Sequence, residues 1–475
     1  MPSAPMPSAP INNADMLLRM DESAITRQHW RIMFISGMGF FTDAYDLFII
    51  GVVIAILKDE WHPSPWAVGL VTSTALLASA FGAVIFGRVA DMLGRKRIYG
   101  YEVLVLAAGA VASAFSPDIW WLIGFRIILG IGIGGDYPVS AILMSEFAGK
   151  RSRGMMVSLV FAMQAAGLVV GPLLAAALLA SGLSKDVTWR LLLAFGAIPA
   201  LAVFQMRRRM AESPRYLLAA GQHEDAYAAS GHLFGEHHGA ARDGLAAPSG
   251  SFVDGFTALM RRRDLAVRLI GASLAWFLMD FAYYGNTVSS PLVLRAVAPN
   301  DSLIMETLTQ LAIFTVAALP GYFVAAAMMD RIGRKTIQIM GFAMMALSFA
   351  AMAAIPGIEK LIYPFLFIYG ISYFFTEFGP NATTFVYPAE LFPVQGRTTG
   401  HGIAAAAGKI GGFIGVFLFP ILLNAGGLIA AESMAALVSG LGIFVTIFML
   451  PETKGKSLED LSAEAAGTNT AARVA

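Results

Sequence analysis

Twelve apolar stretches, each about long enough to cross a bilayer, are the strongest constraint this 475-residue sequence sets on its fold. A membrane span takes about 20 mostly apolar residues as a helix. Lipid offers no water to satisfy an open backbone of any other kind. The stretches lie near 31–57, 66–89, 97–115, 119–146, 154–180 and 188–206, then 266–294, 304–328, 335–355, 359–388, 399–424 and 429–450. Only 14% of the residues are charged and 57% are hydrophobic, whereas soluble domains carry about 25% charged residues. The expectation is an all-α, polytopic membrane protein of twelve transmembrane helices. A net charge of +1 gives no reason to expect a nucleic-acid partner, and the absence of cysteine excludes disulfides and thiolate metal sites. The opening "MPSAPMPSAPINNADMLLRMDESAITRQHW" has no basic region ahead of an apolar core, so no cleavable signal peptide is expected.

Interruptions between spans are short except for 207–263, a polar segment bounded by arginine triplets. The expected organisation is an N-terminal tail 1–28, a six-helix half 29–206, a central loop 207–263 with some short helix, a second six-helix half 264–450 and a tail 451–475. Basic residues collect in the loops after even-numbered spans: Arg95, Lys96, Arg97, Lys150, Arg151, Arg153, the two triplets, Arg331, Arg334, Lys335 and Arg397. Loops after odd spans hold only Lys58, Lys185, Arg190, Arg295 and Lys360. The positive-inside rule then places the even loops and both termini in the cytoplasm, in a plasma or inner cell membrane.

The two halves repeat. "GRVADMLGRKR" (87–97) recurs as "AMMDRIGRK" (327–335), aligning Asp91 with Asp330 and Arg95 with Arg334. "SEFAGKRSRG" (145–154) recurs as "AELFPVQGRTTG" (389–400), with Glu146 seven residues before Arg153 and Glu390 seven before Arg397. "AESPR" (211–215) recurs as "PETKG" (451–455), aligning Glu212 with Glu452. Three motifs displaced by about half the chain imply two parallel, pseudo-symmetric six-helix bundles with a substrate site between them at mid-membrane. The first motif and its copy resemble the loop signature of the major facilitator superfamily. That resemblance implies a cytoplasmic latch, in which Asp91 and Asp330 reach the ends of helices in the facing half, with Arg95, Arg334, Glu146, Arg153, Glu390 and Arg397 as gating residues.

Ionisable residues at membrane depth are costly and read as functional. They are Asp43, Asp46, Glu102, Arg126, Asp136, Asp280, Glu377 and Lys409, the last being the one base expected within the C-terminal spans. Asp43 and Asp46 in "FFTDAYD" share a helix face, and two carboxylates that close resist ionising together, so the pair reads as a proton carrier. Which member holds the proton stays open. In "GIGIGGDYPVSAIL" four glycines precede Asp136, Tyr137 and Pro138, and a kink there is expected to turn Asp136 and Tyr137 into a central cavity. "AWFLMDFAYYG" lines up Trp276, Asp280 and Tyr284 at intervals of four. "FFTEFGPNATTFVYPAELFP" surrounds Gly379 and Pro380 with Glu377, Asn381, Thr383 and Thr384, a broken-helix pattern, and "HGIAAAAGKIGG" supplies Lys409.

These segments together resemble the phosphate–proton symporters of the superfamily. By that resemblance phosphate is held by Tyr137, Gln164, Trp276, Asp280, Tyr284 and Asn381, with Asp43, Asp46, Asp136 and Asp280 on the proton path and Lys409 in coupling. Val139, Ile142 and Gln395 depart from the family's usual residues. A dihydrogenphosphate ion carries hydroxyl donors that a carboxylate such as Asp280 accepts, while sulfate has acceptors alone. Proton uptake at Asp280 then favours the anion, and linkage makes the effect reciprocal. The alternatives are symport of an aromatic or carboxylic anion, for which Arg126 is the candidate residue, and a transporter-like nutrient sensor. An enzyme is not expected: no catalytic motif, metal site or cofactor motif is present. His223, His232, His237 and His238 read as solvated surface. The expected partners are a small anion, protons and lipid, with the chain acting as a monomer.

Overall fold

A computed structural model describes residues 13–234 and 252–466. The chain crosses as α1 (Arg27–Trp61), α2 (Pro65–Leu93), α3 (Tyr101–Ala114), α4 (Ile119–Phe147), α5 (Arg153–Ala180) and α6 (Lys185–Arg208). It continues as α7 (Arg263–Val288), α8 (Leu303–Ile332), α9 (Arg334–Ala354) and α10 (362–391), then α11 and α12, the two arms of Arg397–Met449 on either side of Gly426 and Gly427. Among the described residues nine helices are long and apolar enough to span a membrane. The count is lower than twelve because α3 is short, α10 is interrupted, and α11 and α12 run on as one helix with a glycine break. Helix starts follow local chemistry: Ser64, Ser184 and Ser302 each accept from the N–H three residues on, and Thr26 and His29 form a reciprocal capping box.

Two glycines stop helices in the repeated loops, and here the residue type is required. Gly94 (φ 97°) follows α2 and Gly333 (φ 107°) follows α8, both in the left-handed half of backbone space. A Cβ at either would also strike a carboxylate, Glu212 at Gly94 and Glu452 at Gly333. Those carboxylates cap the next helix: Glu212 accepts from the Lys96 N–H at 3.0 Å, and Glu452 from the N–H groups of Arg334 and Lys335 at 3.1 and 3.0 Å. The third repeated motif is thus the cap of the first.

The latch joins the halves symmetrically. Asp91 accepts from the N–H of Thr398 and Thr399 (3.3 and 2.7 Å) at the start of α11, and Asp330 from Gly154 and Met155 (3.1 and 2.7 Å) at the start of α5. Each is an anion on a helix N-terminus, where unpaired donors and the dipole favour it. The glutamate–arginine pairs cross over instead of closing within one segment. Glu146 binds Arg95 at 3.2 Å and Arg397, of the other half, at 3.1 Å; Arg334 binds Glu390 at 2.8 Å. Arg153 is held by Asp21 at 3.2 Å. Arg334 and Arg397 are therefore buried bases in the C-terminal half besides Lys409, a correction to the expectation; their position at helix ends hid them among the loop charges.

The tails are more structured than their polarity implies. Helix Asn13–Asp21 buries Met16 against Leu217, Ala226 and Ala229 of the central segment, which itself forms helices Pro214–Ala219, His223–Phe234 and Phe252–Met260. His223 meets Asn13 at 3.2 Å; His237 and His238 lie outside the described residues. Helix Leu458–Ala466 docks through buried Leu458 and Leu461 and through Glu459, which pairs with Arg215. Burial alone would raise the Glu459 carboxyl, but the Arg215 guanidinium outweighs it and holds the group down to about 2. A depressed carboxylate stabilises the docked form above its unfolded value near 4.5 and loses that contribution as pH falls toward 2. Pepsin digestion is accordingly expected to begin releasing this helix between about pH 4 and 2, and Glu459→Gln to release it at the highest pH pepsin tolerates.

Candidate functional site

The centre of the molecule is built on α4, α5, α7, α8, α10 and α11. Lys409 projects from α11 between two phenols, donating to Tyr137 Oη at 2.9 Å and Tyr284 Oη at 2.7 Å. Its ammonium lies 4.2 Å from the Tyr137 ring centroid and 4.6 Å from that of Tyr284, a geometry in which the ring faces also attract the cation. Asp280 Oδ2 faces Nζ across 3.6 Å, with Trp276 beside it on the same helix stripe. From Tyr137 a chain of polar side chains crosses the interface between halves. Gln164 donates to Tyr137 at 3.0 Å and accepts from Tyr322 at 3.0 Å, while Asn381 donates to Tyr322 at 3.0 Å and to Glu377. All six residues expected to hold the substrate are thus brought together, occluded and at most 3% exposed.

Local sequence explains the fit. Gly408 and Gly412, one turn apart on α11, leave room for the rings of Trp276 and Tyr284. A Cβ on Gly408 would lie 2.4 Å from Trp276 Cδ1, whereas one on Gly440 of α12 would meet nothing within 4 Å. Gly408→Ala is therefore expected to cost about 1–3 kcal/mol by overpacking and to lower the thermal midpoint in detergent, with Gly440→Ala neutral or slightly stabilising. His401 and Phe385 support the indole edge-on, with ring centroids 5.5 and 6.3 Å from Trp276.

The carboxylates expected on the proton path divide into three places. Asp43 is buried within electrostatic reach of Lys409, Asp136 and Asp46, with Tyr137 as a polar neighbour. Asp46 lies against Gly196, where α6 is interrupted, and near Arg126, whose Nη1 donates to the Asp46 backbone oxygen at 3.2 Å. None of the four carboxylate oxygens of Asp43 and Asp46 is hydrogen-bonded to a described residue. Asp136 is elsewhere: Arg207 grips both of its oxygens at 2.7 and 3.0 Å and also binds Glu102 at 2.8 Å. Helix α4 continues through Pro138, so the expected kink does not turn Asp136 into the cavity with Tyr137. The glycines serve packing instead: Gly130 and Gly134 abut α2, and Gly132 and Gly135 admit Glu102 and its neighbours on α3.

Sequence reasoning missed Tyr322, the bridge between Gln164 and Asn381, and Arg207, read as a loop charge because it opens the first arginine triplet. It also missed Glu432, fully buried in α12. A lone tyrosine in "LPGYFVAAAMMD" and a lone glutamate in "GGLIAAESMAALVSG" were the available signals.

Chemically, the centre offers one ammonium, several hydroxyl and amide donors and one carboxylate acceptor, an arrangement suited to a small oxyanion that carries its own hydroxyl donors. Residues 32–465 match the family described as "Sugar (and other) transporter". The chain is similar to inorganic phosphate transporter 1-11 of Oryza sativa subsp. japonica, 34% identical over 96% of this chain and 91% of that protein. It is similar to the low affinity inorganic phosphate transporter 1 of Petunia hybrida, 34% identical over 95% of this chain and 96% of that protein. In structure it resembles the major facilitator superfamily proton:xylose symporter XylE, with a TM-score of 0.77 at 20% identity, covering 91% of this chain and 98% of that one.

Proposed function

This chain belongs to the sugar (and other) transporter family of the major facilitator superfamily, a family of membrane transporters and not of enzymes, and we propose that it imports inorganic phosphate together with protons by alternating access. The Lys409–Asp280 pair carries this reading. While both groups are charged they satisfy each other, and an entering anion would face Asp280 as a like charge. A proton on Asp280 ends the ion pair, leaves the ammonium to the anion, and gives the neutral site a net attraction for dihydrogenphosphate. Tyr137, Tyr284, Trp276, Gln164 and Asn381 then donate to its bare oxygens, and Asp280 exchanges a hydrogen bond with a phosphate hydroxyl. Asp43 and Asp46, whose oxygens lack partners, deliver the proton; Asp136, clamped by Arg207, holds α4 and α6 in place. The phosphate transporters among its relatives support the same substrate.

In this reading 29–206 and 264–450 rock about the central site, the arginine-rich end with both tails faces the cytoplasm of a cell membrane, and the latch holds that end shut. The organic-anion alternative required Arg126 in the cavity, but that guanidinium faces Asp46 in the N-terminal half. The test is uptake of labelled phosphate into liposomes bearing the purified protein, with sulfate, benzoate and glucose as competitors. Inhibition by unlabelled phosphate alone is expected; inhibition by benzoate but not phosphate would replace the substrate assignment.

A further inference from the structure

The C-terminal half holds two buried carboxylates that this site does not use. Glu377 on α10 and Glu432 on α12 are both 0% exposed. Neither oxygen of Glu432 is hydrogen-bonded to a described residue, and Glu377 keeps one oxygen free while the other accepts from Asn381. The groups facing Glu432 are Asn286 of α7 and Tyr369 and Tyr373 of α10. Those facing Glu377 are Tyr283 and Asp280 of α7, Tyr322 of α8, and Tyr373 and Asn381 of its own helix. Among the described residues no lysine or arginine ion-pairs with either glutamate. Two carboxyl groups with polar but uncharged surroundings have no structural task that a glutamine would not perform better.

Their placement supplies one. Glu432 lies five residues past Gly427, so about 7 Å along α12 from the end opposite the arginine-rich loops. Tyr369 Oη donates to the Asn286 backbone oxygen at 3.3 Å and shares a hydrogen bond with Tyr373 Oη, also at 3.3 Å. Tyr373 precedes Glu377 by one helical turn, at the π-helical segment Glu377–Asn381 where Gly379 leaves helical geometry (φ −103°, ψ −113°). Glu377 then joins the central site through Asn381 and Tyr322.

The geometry points to a second proton route, in the C-terminal half, running from Glu432 through Tyr369 and Tyr373 to Glu377 and on to Asp280. Glu432 takes a proton from water at the end opposite the latch. Each tyrosine oxygen accepts one proton as its hydroxyl gives another on, and Glu377 becomes a carboxylic acid that returns to carboxylate when Asp280 is protonated. Only protons move, and the charge carried inward per phosphate rises by one.

This inference rests on the phosphate–proton reading and deepens it. The test records labelled phosphate entry and internal acidification together in liposomes, for the wild type, Glu432→Gln and Tyr373→Phe. Both variants are expected to lose one proton per phosphate while phosphate exchange at equal pH keeps its wild-type rate. Full wild-type stoichiometry in both variants overturns the route. If Glu432→Gln does not fold, Tyr373→Phe decides, since it leaves both carboxyls in place. A wild type that moves no phosphate defeats the earlier reading, and this inference with it.

Discussion

Asp280→Asn is expected to cut proton-driven phosphate accumulation by about 100-fold, corresponding to a coupling free energy near 3 kcal/mol, while exchange of phosphate across the membrane at equal pH persists. Asparagine keeps the volume and most of the hydrogen-bonding shape of Asp280 but can neither pair with Lys409 nor accept the proton. The ammonium 3.6 Å away is then permanently available to the anion, so binding loses its pH dependence instead of disappearing. Lys409→Ala takes the opposite course. It strands Asp280 as a buried charge without a counterion, at a cost of about 3–5 kcal/mol, and removes the donor to Tyr137 and Tyr284, so binding itself is lost. Binding of phosphate measured by calorimetry at several pH values, beside gradient-driven uptake, separates the two. Retained coupling in Asp280→Asn would remove Asp280 from the proton path.

The second large effect belongs to the latch. Glu146 is fully buried and its Oε1 meets Arg95 of its own half and Arg397 of the other. Glu146→Gln leaves two buried guanidinium groups short of their anion, and breaking such a buried pair costs about 3–5 kcal/mol. Only the closed arrangement bears that cost in full, so the equilibrium moves toward the state open at the arginine-rich end by about 100-fold or more. The chain contains no cysteine, so Arg209→Cys and Arg331→Cys can be spin-labelled on exposed positions of opposite halves without background. Their separation is expected to lengthen in Glu146→Gln; an unchanged distance distribution would mean that Asp91 and Asp330, on their helix N-termini, suffice to hold the end shut.

How much of this was legible in the sequence depended on the range of the interaction. Helical passes and the two-fold repeat are properties of contiguous residues, and the motif spacing carried them. So did the latch aspartates, because both copies of the motif place the acid four residues before an arginine. The third repeat was visible as Glu212 and Glu452, but its meaning required the fold, since each carboxylate caps a helix more than 100 residues away. Partner choice among charges was least legible. Arg207 stands among loop arginines yet ends up fully buried on Asp136, and the seven-residue spacing of Glu146 and Arg153 concealed a crossed pairing. Tyr322 and Glu432 escaped because a single polar residue in an apolar run has no periodic pattern to mark it.

The central claim is that one proton on the Lys409–Asp280 pair admits one phosphate. Its most direct test is to add phosphate outside liposomes bearing the wild-type protein, with internal and external pH equal, and follow internal pH. The account predicts acidification of the interior that tracks phosphate entry and is absent in Asp280→Asn. Phosphate entry with no change of internal pH would contradict it.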